Sequence, residues 1–370
     1  MGYFIKKYIA EDGVVTMVLS FENIFGGSYR RHIIFVPLIV CILGMFVLLF
    51  SNCTNDNDSD DLPYTLSLPE GFPAPPIPTD NPLTEAKVQL GKQLFYDKIL
   101  SRDSSVSCAS CHYPELSFSD HSAFSTGVAG RIGTRNAPPL ANIAYSTSLM
   151  RDGGVPTLEK QIIAPLMAHN EMDFSYEEAL LRLQTNEEYR TLAQTAYQRP
   201  LDAHIISQSI AAFERTLLTA NSLYDRYIYL NDSSGFGQSA QNGLAVFDRL
   251  DCDHCHSGFN FTDYSFENIG LYLQYPDSGR YRVTLRDVDI GKFRTPSLRN
   301  VAATGPYMHD GSIASLSEVI DFYATGGLPH PNKNSYVKPF VLSPAEKQDL
   351  IHFLEALTDN DFLHNPKFLP

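Results

Sequence analysis

Between Ser175 and Leu217 apolar side chains return every three or four positions. In "SYEEALLRLQTNEEYRTLAQTAYQ" Ala179, Leu180, Leu183, Tyr189 and Leu192 stand between charged residues, and in "HIISQSIAAFERTLL" Ile206, Ile210, Phe213 and Leu217 repeat the pattern. That spacing paints one stripe along a helix, so both stretches are predicted to be amphipathic helices. Val88, Gly91 and Phe95 recur in the same way after Asn81-Pro82, where Asn can cap a helix and Pro can open it. "AQNGLAVFDRL" reads as another helix. "SLSEVIDFYATGG" runs from a Ser cap to a Gly stop, and "SPAEKQDLIHFLEAL" carries Pro344 in its first turn. Few runs alternate with period two, so the chain is expected to be mainly α. The Gly/Ser-rich break "NDSSGFGQS", residues 231–239, is the natural domain boundary.

The first 53 residues obey a different pattern. Arg30 and Arg31 precede eighteen uncharged residues, Ile33 to Phe50, and the run ends at Cys53 before the hydrophilic "TNDNDSDD". Basic residues stay on the cytoplasmic side, so the rest of the chain is expected to be exported. Cys53 resembles the lipid-bearing cysteine of a bacterial lipoprotein, although Asn52 is bulkier than the residue usual before one. Without cleavage the apolar run is just long enough to span a bilayer as an anchor. Residues 54–80 turn acidic and then proline-rich, the composition of a semi-stiff tether. The expected plan is therefore a signal or anchor segment at 1–53, a tether at 54–80, and domains at 81–232 and 233–370, in a membrane-anchored protein of the periplasm.

With 42 acidic against 28 basic residues, the net charge of −14 argues against nucleic acid as a partner. It suits a small basic protein instead.

Candidate chemistry sits in two short stretches. "SVSCASCHYPE" holds Cys108, Cys111 and His112, and "LDCDHCHSG" holds Cys252, Cys255 and His256. Cys-x-x-Cys-His is the attachment sequence of c-type haem: the thiols bond to the porphyrin and the adjacent imidazole meets the iron. A redox disulfide would be expected within a βαβ pattern, which is missing. Zinc held by two cysteine pairs would leave the histidine after each pair unexplained. Two covalent haems are thus expected, and in each case a helix leads into the motif.

Together with "GTRNAPPLAN", "RDGGVPTLEKQIIAPLMAHNEM" and "FRTPSLRNVAATGPYMHDGSIASLSEVIDFY", these motifs resemble the bacterial diheme cytochrome c peroxidases and the related MauG-type diheme oxidases, from Asn81 to the C-terminus. The resemblance implies two cytochrome-c-like helical domains, each with one covalently bound c-type haem. His112 would be the proximal ligand of a peroxidatic haem. The peroxidases place a distal His where this chain has Val128, which leaves that face open as in the MauG branch; His121 is the nearest competing ligand. Glu171 falls on the family's acid-base residue and Gln161 on its distal glutamine, a pair suited to moving a proton between peroxide oxygens and orienting them. At the second haem His256 is proximal, and the distal ligand, Met in peroxidases and Tyr in the MauG type, falls on Tyr323, with Met308 as rival. Asn136, Thr304 and Pro306 match the family's calcium site. The family's inter-haem tryptophan is replaced by Arg151, leaving Tyr145 or the propionate edges as relay. The implied activity is reduction of hydrogen peroxide to water with electrons from a small donor cytochrome or another electron-transfer protein. The alternatives are a MauG-like oxidase acting on a protein or organic substrate, and a diheme electron carrier with no catalysis. The resemblance also leaves a homodimer open.

Overall fold

The computed structural model describes residues 62–370; the segment 1–53, with Cys53, and the acidic start of the tether lie outside the described residues. Helices dominate. Those of eight residues or more are α1 (Glu85–Tyr96), α2 (Tyr176–Thr185), α3 (Glu187–Tyr197), α4 (Ala203–Glu214), α5 (Leu223–Leu230), α6 (Gln238–Arg249), α7 (Leu316–Ala324) and α8 (Pro344–Glu355). Among the described residues the only strands are β1 (Phe266–Glu267) and β2 (Phe293–Arg294), paired antiparallel, and no helix is long and apolar enough to cross a membrane.

Local chemistry explains most of the helix ends. Ser175, Ser222, Ser315 and Ser343 each cap a helix, with Glu or Asp three residues on reaching back to the cap. The long pattern from Ser175 is interrupted at Asn186, whose side chain caps α3 by accepting from Glu188 and Tyr189 N–H. Helix α1 begins three residues later than Asn81-Pro82 suggests, behind Thr84. Asn81 is committed elsewhere: fully buried, it donates to the Glu159 carboxylate (3.0 Å) and the Gln208 carbonyl (2.9 Å).

The two motif-bearing halves are built alike. Helix α1 crosses α4 so closely that a Cβ on Gly91 would lie 1.8 Å from the Ser209 carbonyl oxygen. Helix α6 crosses α8 in the same manner, with a Cβ on Gly243 falling 2.0 Å from the Asp349 carbonyl oxygen. Only glycine permits either approach. One turn beyond each glycine stands a buried phenylalanine. Phe95 packs against Phe118 and Phe213, and Phe247 packs against Phe261 and Phe353.

The apolar cores follow this division but do not respect 232/233 as a border. Tyr224 of α5 stacks edgewise on Phe236, Phe261 and Phe353. Its neighbour Asp225 forms a two-pronged, almost fully buried ion pair with Arg299, both contacts 2.7 Å. In return, Phe362 and Phe368 near the C-terminus pack on Phe118 in the first half. Residues 62–80, where the proline content suggests a spacer, are packed against the body. Tyr64 N–H donates to the Leu83 carbonyl, Phe72 is buried against Tyr229 and Phe259, and the Pro73 carbonyl accepts from the Tyr145 hydroxyl.

Candidate haem sites

Each Cys-x-x-Cys-His motif forms a single 3-10 turn, Cys108–Ser110 and Cys252–His254, that ends on the second cysteine. The turn lifts the following histidine into the protein. His112 Nδ1 lies 2.6 Å from the Phe118 carbonyl oxygen. His256 Nδ1 lies 3.2 Å from the Phe261 carbonyl oxygen, and the Pro296 carbonyl is a further acceptor for that ring. A carbonyl only accepts, so Nδ1 carries the proton and Nε2 is left as a ligand atom. Phe118 and Phe261 both adopt positive φ (59° and 49°), which turns their carbonyls toward the rings. Burial depresses the pKa of both histidines, so each is a neutral imidazole.

The four thiols are free and partly accessible. Burial holds the pKa of each above that of an ordinary thiol: Cys111 and Cys255 are pushed up to about 11, Cys252 to about 12, and Cys108 higher still. A redox Cys-x-x-Cys needs the opposite shift. Zinc fails as well, because no group of three or more His, Cys, Asp or Glu side chains among the described residues could hold a metal ion. Protonated, accessible thiol pairs beside a neutral, carbonyl-anchored histidine fit covalent haem at both turns.

What faces the two turns differs. Beside the first, the Glu171 carboxylate is close enough to raise the pKa of both Cys108 and Cys111. Its own pKa is raised by desolvation, and its side chain forms no hydrogen bond among the described residues. Glu171 is held by its backbone: Val128 N–H donates to the Glu171 carbonyl (2.8 Å). A Cβ on Gly127 would lie 2.3 Å from the Asn170 carbonyl oxygen, so this seat also requires glycine. Val128 is itself buried and apolar, and offers no ligand. His121 lies on an exposed loop, 3.2 Å from Asp120. Gln161 reaches the Met150 sulfur at 4.0 Å, and no hydrogen bond joins it to Glu171.

Beside the second turn lies Tyr323 of α7. Its hydroxyl has no hydrogen-bond partner among the described residues, and its pKa is driven up by burial and then by the adjacent Cys252 and Cys255. Met308 takes a positive φ (75°) in a loop that leans on the first half: His309 O accepts from Asn136 N–H (2.9 Å), and Gly311 abuts Ala123.

Of the residues matched to calcium, Asn136 is engaged by a cation of the chain itself. Asn136 Oδ1 accepts from Arg151 Nη2 (2.6 Å) and its carbonyl accepts from Arg151 Nε (2.8 Å), so a guanidinium holds the one side-chain oxygen of that match. Thr304 only closes a local turn onto Val301, and Pro306 follows Gly305 through a cis peptide.

Reading the sequence missed Glu214, the last residue of α4. It is 4% exposed, close enough to Cys108 to raise that thiol, and its Oε2 has no partner. Burial pushes its pKa up to about 8. No motif marks it, because "AAFERTLL" reads as an ordinary amphipathic helix. A second repeat was also missed: Leu-x-Asn-Ile/Val-Ala occurs at 140–144 and 298–302. Asn142 and Asn300 both take φ of 57° and tie the halves together, Asn142 to Asn260 (3.0 Å) and Asn300 to Ser117 (3.1 Å).

Residues 85–233 match the di-haem cytochrome c peroxidase family. The chain is 40% identical over 287 residues to the methylamine utilization protein MauG of Methylorubrum extorquens, covering 76% of this chain and 81% of that protein. It is 36% identical over 339 residues to the cytochrome-c peroxidase IdrP1 of Denitromonas iodatirespirans, covering 81% and 89%. Among solved structures, a MauG-like protein associated with microbial copper homeostasis superposes with a TM-score of 0.78 at 34% identity, over 82% of this chain and 98% of that one.

Proposed function

Since this chain belongs to the di-haem cytochrome c peroxidase family, we propose that it is a peroxidase that reduces hydrogen peroxide to water at the His112 turn, with electrons received at the His256 turn from a small donor cytochrome. The observation that carries this reading is the unpartnered Glu171 carboxylate beside Cys108 and Cys111, on a side where Val128 presents no ligand.

Cys108, Cys111 and His112 would hold one haem, and Cys252, Cys255 and His256 the other. When bound, the two haems would supply one-electron redox chemistry and the metal at which peroxide reacts. The residues of the chain do the rest. His112 donates through Nδ1 to Phe118, which keeps Nε2 electron-rich and the ring fixed. The raised pKa of Glu171 suits a group that must accept a proton from one peroxide oxygen and return it to the other. With two protons and two electrons, two waters leave. Gln161, at the end of the Leu158–Gln161 turn, supplies the amide that orients peroxide. Tyr323 would be the residue offering an oxygen to the haem held at Cys252 and Cys255, a reading supported by its free hydroxyl beside both thiols, and Met308 is the lesser candidate. Export and lipid anchoring through Cys53 complete the proposal and rest on the sequence alone.

A second reading is favoured by the same Tyr323. A phenolic oxygen stabilises oxidised iron, which suits an oxidase that turns peroxide against a protein or organic substrate.

The test is an EPR spectrum of the ferric haem-loaded protein, followed by a peroxide assay with reduced cytochrome c. A high-spin signal and cytochrome oxidation are expected. Glu171→Gln should keep both haems and lower peroxide turnover by about a hundredfold or more. Two low-spin centres would make the protein an electron carrier, and peroxide consumption without cytochrome oxidation would favour the oxidase.

A further inference from the structure

Arg151 and Arg294 are set side by side by the backbone. Arg294 in β2 donates its N–H to the Arg151 carbonyl at 2.7 Å, and its Nη1 donates to the Ser148 carbonyl. Arg151 stands in a tight turn closed between Leu149 and Val155, in which Met150 and Gly153 both take positive φ. Position 153 requires glycine, since a Cβ there would lie 2.3 Å from the Phe266 ring.

Neither guanidinium has a carboxylate within ion-pair distance among the described residues. Their neighbour Arg135 does, gripping Asp152 at 2.7 Å and Asp277 at 2.5 Å. Arg151 spends Nε and Nη2 on Asn136, which leaves Nη1, and Arg294 is left with Nε and Nη2. Both residues wall one cavity, together with Asn142, Tyr264, Pro296 and Ser297. Through Pro296, whose carbonyl faces the His256 ring, the cavity adjoins the second Cys-x-x-Cys-His turn. Burial and mutual repulsion lower the pKa of Arg151 to about 10, and burial lowers that of Arg294. Among the described residues Asp310 is the one carboxylate whose charge reaches Arg151, and it forms no ion pair with it. Two cations with spare donors and no carboxylate at ion-pair distance make a receptor for an anion, and the planar fork of each suits a carboxylate.

We propose that Arg151 and Arg294 form a carboxylate-binding clamp, filled by a propionate of the haem held at Cys252 and Cys255 or by a small free carboxylate. The first source rests on the haem reading above. The clamp supplies a fixed positive charge from the chain itself, beside Asn136.

The test compares haem-loaded wild type with Arg151→Gln, Arg294→Gln and the two Lys variants. Haem is counted first, by pyridine haemochrome, and the midpoint potential of each haem is then measured by spectroelectrochemistry. Thermal unfolding is followed with and without millimolar acetate. For the propionate source, removing either cation favours oxidised haem. Each Gln variant should then shift the oxidised-to-reduced ratio of the second haem by tenfold or more at a fixed potential. Its Lys counterpart should stay within twofold of wild type, and acetate should change nothing. For a free carboxylate the potentials stay level, while acetate raises the unfolding temperature of wild type and not of the Gln variants. Level potentials with no acetate effect would overturn the clamp, as would Lys variants displaced as far as the Gln ones. If one Gln variant fails to fold, the other Gln variant, set against its Lys counterpart, decides. Wild type without haem would sink the haem reading, and the acetate measurement would still judge the clamp.

Discussion

At the first turn α1 crosses α4 over Gly91, Phe95 supports Phe118, and the Phe118 carbonyl anchors His112. At the second, α6 crosses α8 over Gly243, Phe247 supports Phe261, and the Phe261 carbonyl faces His256. The proximal side is thus one device used twice. The opposite side is not repeated: Glu171, held by the Val128 turn, faces the first motif, and Tyr323 on α7 faces the second. The supports differ too. Phe213 is followed by Glu214, whereas its counterpart Phe353 is followed by buried Leu354. The difference teaches that a shared scaffold holds the group, while the residues brought in from other elements decide what each site can do.

The largest way to break the comparison is to remove the buried charge that binds α5 to the second half. Asp225→Ala leaves the Arg299 guanidinium unpaired in the interior and should destabilise the haem-loaded protein by about 3–5 kcal/mol. Denaturant unfolding would measure it, and a loss below about 1 kcal/mol would show the pair to be dispensable.

Next comes Glu214→Leu, which makes the first half copy the second. The folded-state pKa of Glu214, about 8, lies above its ordinary value of 4.5, so the folded protein holds a proton that the unfolded chain releases. Stability therefore falls as pH rises from the unfolded pKa through the folded one, by on the order of 2 kcal/mol between pH 6 and pH 8. In the Leu variant this slope should vanish and stability at pH 8 should rise. An unchanged pH dependence would remove Glu214 as its source.

The smallest effect on turnover sharpens the comparison. Tyr323→Phe should change peroxide consumption by less than about tenfold, as expected for a residue outside the acid-base pair, while altering the ferric spectrum of the second haem. An unaltered spectrum would return the ligand to Met308.

By itself the sequence determined the helical class, most helix ends, and the two turns with their cysteines and histidines. All of these depend on neighbours within a few positions: a Ser with Glu three residues on, a Gly after the last apolar residue, two thiols and an imidazole in five residues. The start of α1 was misread because Asn81 is spent on partners 78 and 127 residues away. The Arg151–Asn136 contact, the unpartnered acid at Glu214, and the assignment of α5 to the second half were decided only in three dimensions. Burial removes water from a side chain and leaves whatever partner the fold brings, and no local pattern records which partner that will be.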